Sequence, residues 1–195
     1  MQDYKPQLTV IADDITGAAE IAGIGSQFGL STKLMIYSGD ETIQLPEPCD
    51  LLIFATDTRP MSEKDSLNES IRLSNLIVEM GCTKVFKKTD SVLRGYVLVE
   101  LTELMRAVGK KRALLLPQNP SKGRTIANGI YYINGVPLNQ TDFAHDPEFP
   151  ATSSYVAALC YGAKVFPIEK RIKRHGIYMA EATTSEEVAQ QAAKL

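Results

Sequence analysis

The sequence predicts an α/β fold, a mostly parallel sheet with helices on both faces, plus an inserted antiparallel hairpin. Three observations carry this. Short apolar runs alternate at least four times with segments whose apolar residues recur at helical spacing. One run, Leu51-Leu52-Ile53-Phe54-Ala55, has no polar residue, as a strand buried on both faces requires. Asn134-Gly135, a preferred two-residue hairpin turn, separates Ile130-Tyr131-Tyr132-Ile133 from Val136-Pro137-Leu138.

In chain order, Leu8 to Ala12 is an apolar run that stops at Asp13-Asp14. Thr16 and Gly17 then lead into a helical stripe of Ile15, Ala18, Ala19, Ala22 and Gly25, with Gly29 as its stop. Gly23-x-Gly25 lies within this helix and Phe occupies position 28, so it is no dinucleotide loop. Leu34 to Tyr37 reads as a second strand, Pro46-Glu47-Pro48 as a loop and Leu51 to Ala55 as a third strand. A long helix follows from about Glu63 to Met80, burying Leu67, Ile71, Leu73, Leu76, Ile77 and Met80. Val85-Phe86 opens a strand running into Lys87-Lys88-Thr89-Asp90-Ser91. Val97, Leu98, Leu101, Leu104, Met105 and Val108 then form a strong amphipathic stripe. Ala113 to Leu116 is a further strand, cut off by Pro117, which cannot donate to a ladder. After the polar loop Gln118 to Thr125 comes the hairpin, and Thr141 to Pro147 returns from it. Ser185-Glu186-Glu187-Val188 starts a helix with no stop signal before Leu195.

The totals bound the function. The 195 residues suit one α/β domain with a sizeable core, and 44% hydrophobic with 23% charged residues describes an ordinary globule. A net charge of -2 gives no footprint for nucleic acid. No apolar run approaches the ~20 residues of a membrane span, and Met1 to Lys5 lacks a signal-peptide core, so the expected location is cytoplasmic and no membrane partner is expected. Cys49, Cys82 and Cys160 are odd in number and widely spaced, which argues against a disulfide framework or a zinc site.

Polar clusters fall at strand ends: Asp13-Asp14, Asp57 with Arg59, and Lys88, Asp90, Ser91 with Arg94. Lys122 and Arg124 follow in the loop after another strand. In a parallel sheet ligands bind at the carboxyl ends of strands, and neighbouring strands lie ~5 Å apart, so these groups can converge. Carboxylates and cations together suit a small polyhydroxylated acid: Arg or Lys holds its carboxylate, and Asp accepts from its hydroxyls. A carboxylate can also take a hydroxyl proton during phosphoryl transfer. Each cluster has a structural alternative. Asp13 or Asp14 caps the helix, Lys87-Lys88 is a solvated strand end, and Arg94 pairs with Asp90 to stiffen its loop. Lys110-Lys111-Arg112 and Lys170 to His175 read as exposed faces. Asp142, His145 and Asp146 could ligate a metal, and a metal-dependent hydrolase on Asp13, Asp14 and His145 is the remotest reading. Neither histidine sits where it would serve Ser91 or Thr16 as a base. No glycine-rich phosphate cradle follows any strand.

Several of these stretches in order resemble the N-terminal domain of the four-carbon acid sugar kinase family, which includes threonate, erythronate and 3-oxo-tetronate kinases. They are Ala12-Asp13-Asp14-Ile15-Thr16-Gly17-Ala18, Asp57-Thr58-Arg59, Lys88-Thr89-Asp90-Ser91-Val92-Leu93-Arg94-Gly95, Gly123-Arg124-Thr125, Asn134-Gly135-Val136-Pro137-Leu138 and Thr141-Asp142-Phe143-Ala144-x-Asp146-Pro147. The resemblance implies that Asp13, Asp14, Arg59, Lys88, Asp90, Ser91 and Arg94 line a sugar-acid site. Asp13 is taken as the catalytic group nearest the phosphorylated hydroxyl. It also implies that ATP and Mg2+ are bound mainly by a C-terminal nucleotide-binding domain, carried on a longer chain or a partner chain, and that a second copy of the chain is a further candidate partner. Sequence Val165 to Ala182 reads shorter than the family pattern. The competing expectation is a non-catalytic sugar-acid-binding or regulatory module.

Overall fold

The computed structural model describes residues 5–39, 47–160 and 174–194, with the backbone alone at 164–166. The first residues, Pro46, most of the Lys170 to His175 segment and Leu195 lie outside them. Two compact units emerge. One contains residues up to Asp90 with Val99–Gly109, the other Ser91–Leu98 with the residues from Lys110 onward.

The first unit is built on β1 (Leu8–Ala12), β2 (Thr32–Ile36), β3 (Leu51–Ala55) and β4 (Val85–Lys88), all parallel, in the order β2-β3-β1-β4. That order fixes the helices. The crossover from β1 to β2 passes over β3 in one direction, and that from β3 to β4 passes over β1 in the other. Right-handed connections of opposite direction put their helices on opposite faces. Accordingly α1 (Ile15–Gln27) packs Ala18, Ile21 and Ala22 on Val10, Ala12, Leu51, Ile53 and Ala55. On the other face α2 (Glu63–Glu79) and α3 (Val97–Ala107) bring Leu73, Ile77 and Leu104 to Ile11, Leu52 and Phe54. The central β3 is buried on both faces, which is why its sequence is uninterrupted by polar residues.

In the second unit β5 (Arg112–Leu115) does not extend that sheet. It pairs in parallel with β10 (Gly176–Ala180), which in turn pairs with β9 (Lys164–Phe166). An apolar run announces a strand but not its neighbour, and here the partner lies some sixty residues downstream. The antiparallel ribbon is present as β6 (Arg124–Ala127), β7 (Ile130–Ile133) and β8 (Val136–Pro137), turning through Asn134 and Gly135, both at positive φ. Its Tyr131 is fully buried among Val92, Leu93, Val97, Ile126, Leu138 and Met179. A short α4 (Val156–Leu159) follows. The final α5 (Ser185–Ala192) opens on a reciprocal capping box between Thr184 and Glu187. No helix among the described residues is long and apolar enough to cross a membrane.

Candidate functional site

Register brings the first unit's polar groups together. Ala12 lies level with Ala55 and with Lys88, so the residues that follow each strand emerge side by side. The Thr56 N–H and hydroxyl both donate to the Ala12 carbonyl, at 2.9 and 3.0 Å, and the Asp13 N–H donates to the Lys88 carbonyl at 3.3 Å.

The two aspartates divide the labour left open by the sequence. Asp14 is the helix cap: its carboxylate accepts from the Gly17 N–H at 2.7 Å. A Cβ on Gly17 would stand 2.7 Å from Asp14 Oδ1 and 3.2 Å from Lys88 Nζ, so a side chain there would displace the capping carboxylate. Asp13 is buried and does something else. Its Oδ2 accepts from Arg59 Nε at 3.2 Å, Arg59 Nη2 at 3.1 Å and the Asp90 N–H at 3.3 Å. Its Oδ1 is buried with no hydrogen-bond partner. Arg59 Nη2 also reaches Asp14 at 2.9 Å and Asp90 at 3.8 Å. One guanidinium thus serves three carboxylates. Asp57, by contrast, is exposed and adopts a left-handed φ of 48°, so it turns the chain and Arg59 is the residue of this cluster that reaches the carboxylates.

Burial pushes the Asp13 carboxyl above the ordinary carboxylate range, outweighing the pull of Lys87 and Arg59. Burial works against the Arg59 charge too, but Asp13, Asp90 and Asp14 hold its pKa higher still. A buried carboxyl of raised basicity, with one oxygen saturated and the other unsatisfied, is suited to accept a hydrogen bond or a proton from a ligand hydroxyl.

Lys88 donates to the Thr89 carbonyl at 3.1 Å and approaches Glu20 at 3.8 Å. Lys87 departs from the solvated strand end considered for it: its side chain is buried and forms an ion pair with Glu100 of α3. Glu100 also accepts from the Ser66 hydroxyl at 2.7 Å and from Thr58. Although burial opposes its charge, Lys87 and these hydroxyls hold the Glu100 carboxyl below the ordinary range. Sequence reasoning missed this group. The available signal was an acidic residue at position 100 inside the apolar stripe of Val97, Leu101 and Leu104.

The remaining predicted residues belong to the second unit. The Ser91 carbonyl accepts from the buried Tyr131 hydroxyl at 2.6 Å, and that hydroxyl lies 3.3 Å from the Pro117 carbonyl. Arg94 pairs with Asp146 at 3.0 Å and lies 5.7 Å from the centre of the Phe143 ring. Asp146 is thus a partner that stiffens Arg94. Asp146 also accepts from the N–H groups of Glu148 and Phe149, which occupies it in the turn where a metal was considered. Lys122 ends a one-turn helix over Pro120–Lys122 and Arg124 opens β6, also in this unit.

The residues described do not fit ATP or Mg2+. No glycine-rich loop follows a strand, the three carboxylates converge on Arg59, and no group of acidic, His or Cys side chains among the described residues is arranged to hold a metal.

A family model described as "Sugar-binding N-terminal domain" matches residues 8–193. The chain belongs to this family. Among curated members of the wider group it is 32% identical over 154 residues to a D-threonate kinase of Salmonella typhimurium, covering 78% of this chain and 36% of that protein. It is 30% identical over 157 residues to a 3-oxo-tetronate kinase of Brucella melitensis, with 78% and 36% covered. The sugar-binding chain thus spans well under half the length of these relatives. A Bordetella bronchiseptica protein described as a domain of unknown function, solved with bound citrate as a domain-swapped dimer, superposes with a TM-score of 0.84 at 23% identity. The match covers 96% of this chain and 50% of that one. A Haemophilus influenzae protein gives 0.83 at 23% identity, covering 95% and 50%. These structural likenesses establish the sugar-binding domain's fold.

Proposed function

We propose that the chain is the sugar-acid-binding half of an ATP-dependent kinase that phosphorylates a four-carbon acid sugar of the threonate, erythronate or 3-oxo-tetronate type. The observation that carries this reading is Asp13: a buried carboxylate at the end of a central parallel strand, with Oδ2 taken by three N–H donors and Oδ1 left without a partner. Asp13 accepts the hydrogen bond of the hydroxyl to be phosphorylated. Asp13 would take up the proton that this hydroxyl gives up on phosphorylation. Asp14 and Asp90 contact further hydroxyls, and Arg59 and Lys88 balance the ligand's carboxylate. ATP and Mg2+ are held by a nucleotide-binding domain or partner chain that completes residues 1–195, and the site of action is the cytoplasm. The kinase names of the relatives support the reaction class. The citrate in one neighbour supports a hydroxylated carboxylic acid as ligand, and its domain swap supports self-association.

Calorimetric titration with D-threonate, D-erythronate and 3-oxo-tetronate tests the reading, on the wild type and on Asp13→Asn. At least one acid binds the wild type, and the variant loses about tenfold or more in affinity, the worth of a charge-assisted hydrogen bond. Equal affinity in the two proteins removes Asp13 from its role.

A further inference from the structure

The sugar-acid reading leaves unexplained why the first unit buries a second pair of charges next to the first. Lys87 and Glu100 are both almost fully enclosed, at 5% and 3% side-chain exposure. Buried pairs seldom repay their desolvation in full, even one hydrogen-bonded by Ser66 and Thr58 as here, which leaves room for a role beyond stability. The cavity beside them, lined by Ile11, Thr56, Ser70, Leu73, Ser74 and Leu104, measures about 10 Å³. That is room for one water at most, so the pair does not itself bind a ligand.

Its placement points elsewhere. Lys87 lies level with Ile11 across the β1 and β4 ladder. Strand side chains alternate, so Lys87, Ile11 and Asp13 share one face of the sheet. Glu100 comes down on that face from α3, anchored by Ser66 of α2 and by Thr58, which in turn lies 3.1 Å from Thr56 at the end of β3. We propose that Lys87, clamped by Glu100, is a positioning residue for Asp13: the pair fixes a positive charge on the Asp13 side of the sheet that helps hold the carboxylate for the incoming hydroxyl. This rests on the sugar-acid reading for its purpose, though not for its electrostatics.

The charged groups around Asp13 are Arg59 from the turn after β3, Asp14 at the start of α1, Lys87, Lys88 and Asp90 from β4 and its loop, and Glu100 from α3. Against the dominant effect of burial, Lys87 draws the Asp13 pKa down and Glu100 pushes it up, Lys87 being the stronger of the two. The two members of one ion pair therefore act on Asp13 with opposite sign. A merely structural pair, whose loss loosens the packing, would move Asp13 the same way whichever member is removed.

The test is NMR titration of the Asp13 side-chain carboxyl carbon in the full chain without ligand, for the wild type, E100Q and K87Q. D-threonate affinity is followed by calorimetry over the same pH range. The Asp13 midpoint falls in E100Q and rises in K87Q, and the pH dependence of binding follows it. The double variant K87M/E100L removes both buried charges at once and serves if a single substitution unfolds the chain; its midpoint rises, because the Lys87 effect prevails. Shifts of the same sign in E100Q and K87Q, or an unmoved midpoint in the folded double variant, overturn the proposal. Opposite shifts in a chain that binds D-threonate at no pH uphold the electrostatic role of the pair, and the failure then belongs to the sugar-acid reading.

Discussion

Arg59 in the first unit and Arg94 in the second are the same side chain put to different use. Arg59 is largely buried and lies within 3.8 Å of Asp13, Asp14 and Asp90. Arg94 is more open, at 29% side-chain exposure, and is held by Asp146 and the Phe143 ring. Arg59 keeps little contact with water, so the three carboxylates around it depend on the one guanidinium. Arg94 and Asp146 keep 29% and 16% of their side-chain surface in water, so their pair is partly screened and contributes less to stability. The contrast separates a guanidinium shared by three carboxylates from one held by Asp146 and a ring face.

Substitutions can break that contrast, beginning with the largest effect. Arg59→Met leaves three carboxylates clustered without their common cation and lowers unfolding stability by about 3 kcal/mol, the scale for removing one partner of a buried pair, as read by urea denaturation. Asp14→Ala removes the α1 cap and one of the three Arg59 contacts. It costs about 1 kcal/mol in the same assay, because Asp13 and Asp90 still face the guanidinium. Arg94→Ala removes the Asp146 pair and the Phe143 contact and costs less than Asp14→Ala in the same assay. A large loss of stability in Arg94→Ala, or none in Arg59→Met, would erase the distinction between the two arginines.

Much of this was legible before any coordinates. Strand runs ending in carboxylates and cations place Asp13, Asp14, Arg59 and Asp90 on one sheet edge, because parallel strands begin and end in register. The division of labour between Asp13 and Asp14 was not legible, since both are the right residue type for a cap and only backbone geometry selects Asp14. The solvated strand end weighed as the structural alternative for Lys87-Lys88 does not hold for Lys87, whose partner, Glu100, lies across a loop and on another element, and ion pairs between elements leave no periodic trace. Likewise the run Ala113 to Leu116 declares a strand, while its pairing with Gly176–Ala180 instead of the first sheet depends on contacts distant in sequence. The motif Lys88 to Gly95 reads as one continuous cluster, yet the boundary between the units falls between Asp90 and Ser91.

The most direct measurement is a crystal structure of the chain with D-threonate bound. It should show a ligand hydroxyl within hydrogen-bond distance of Asp13 Oδ1, with Arg59 still bridging Asp13 and Asp14. A ligand seated away from the ends of β1, β3 and β4, with Oδ1 untouched, would contradict the account.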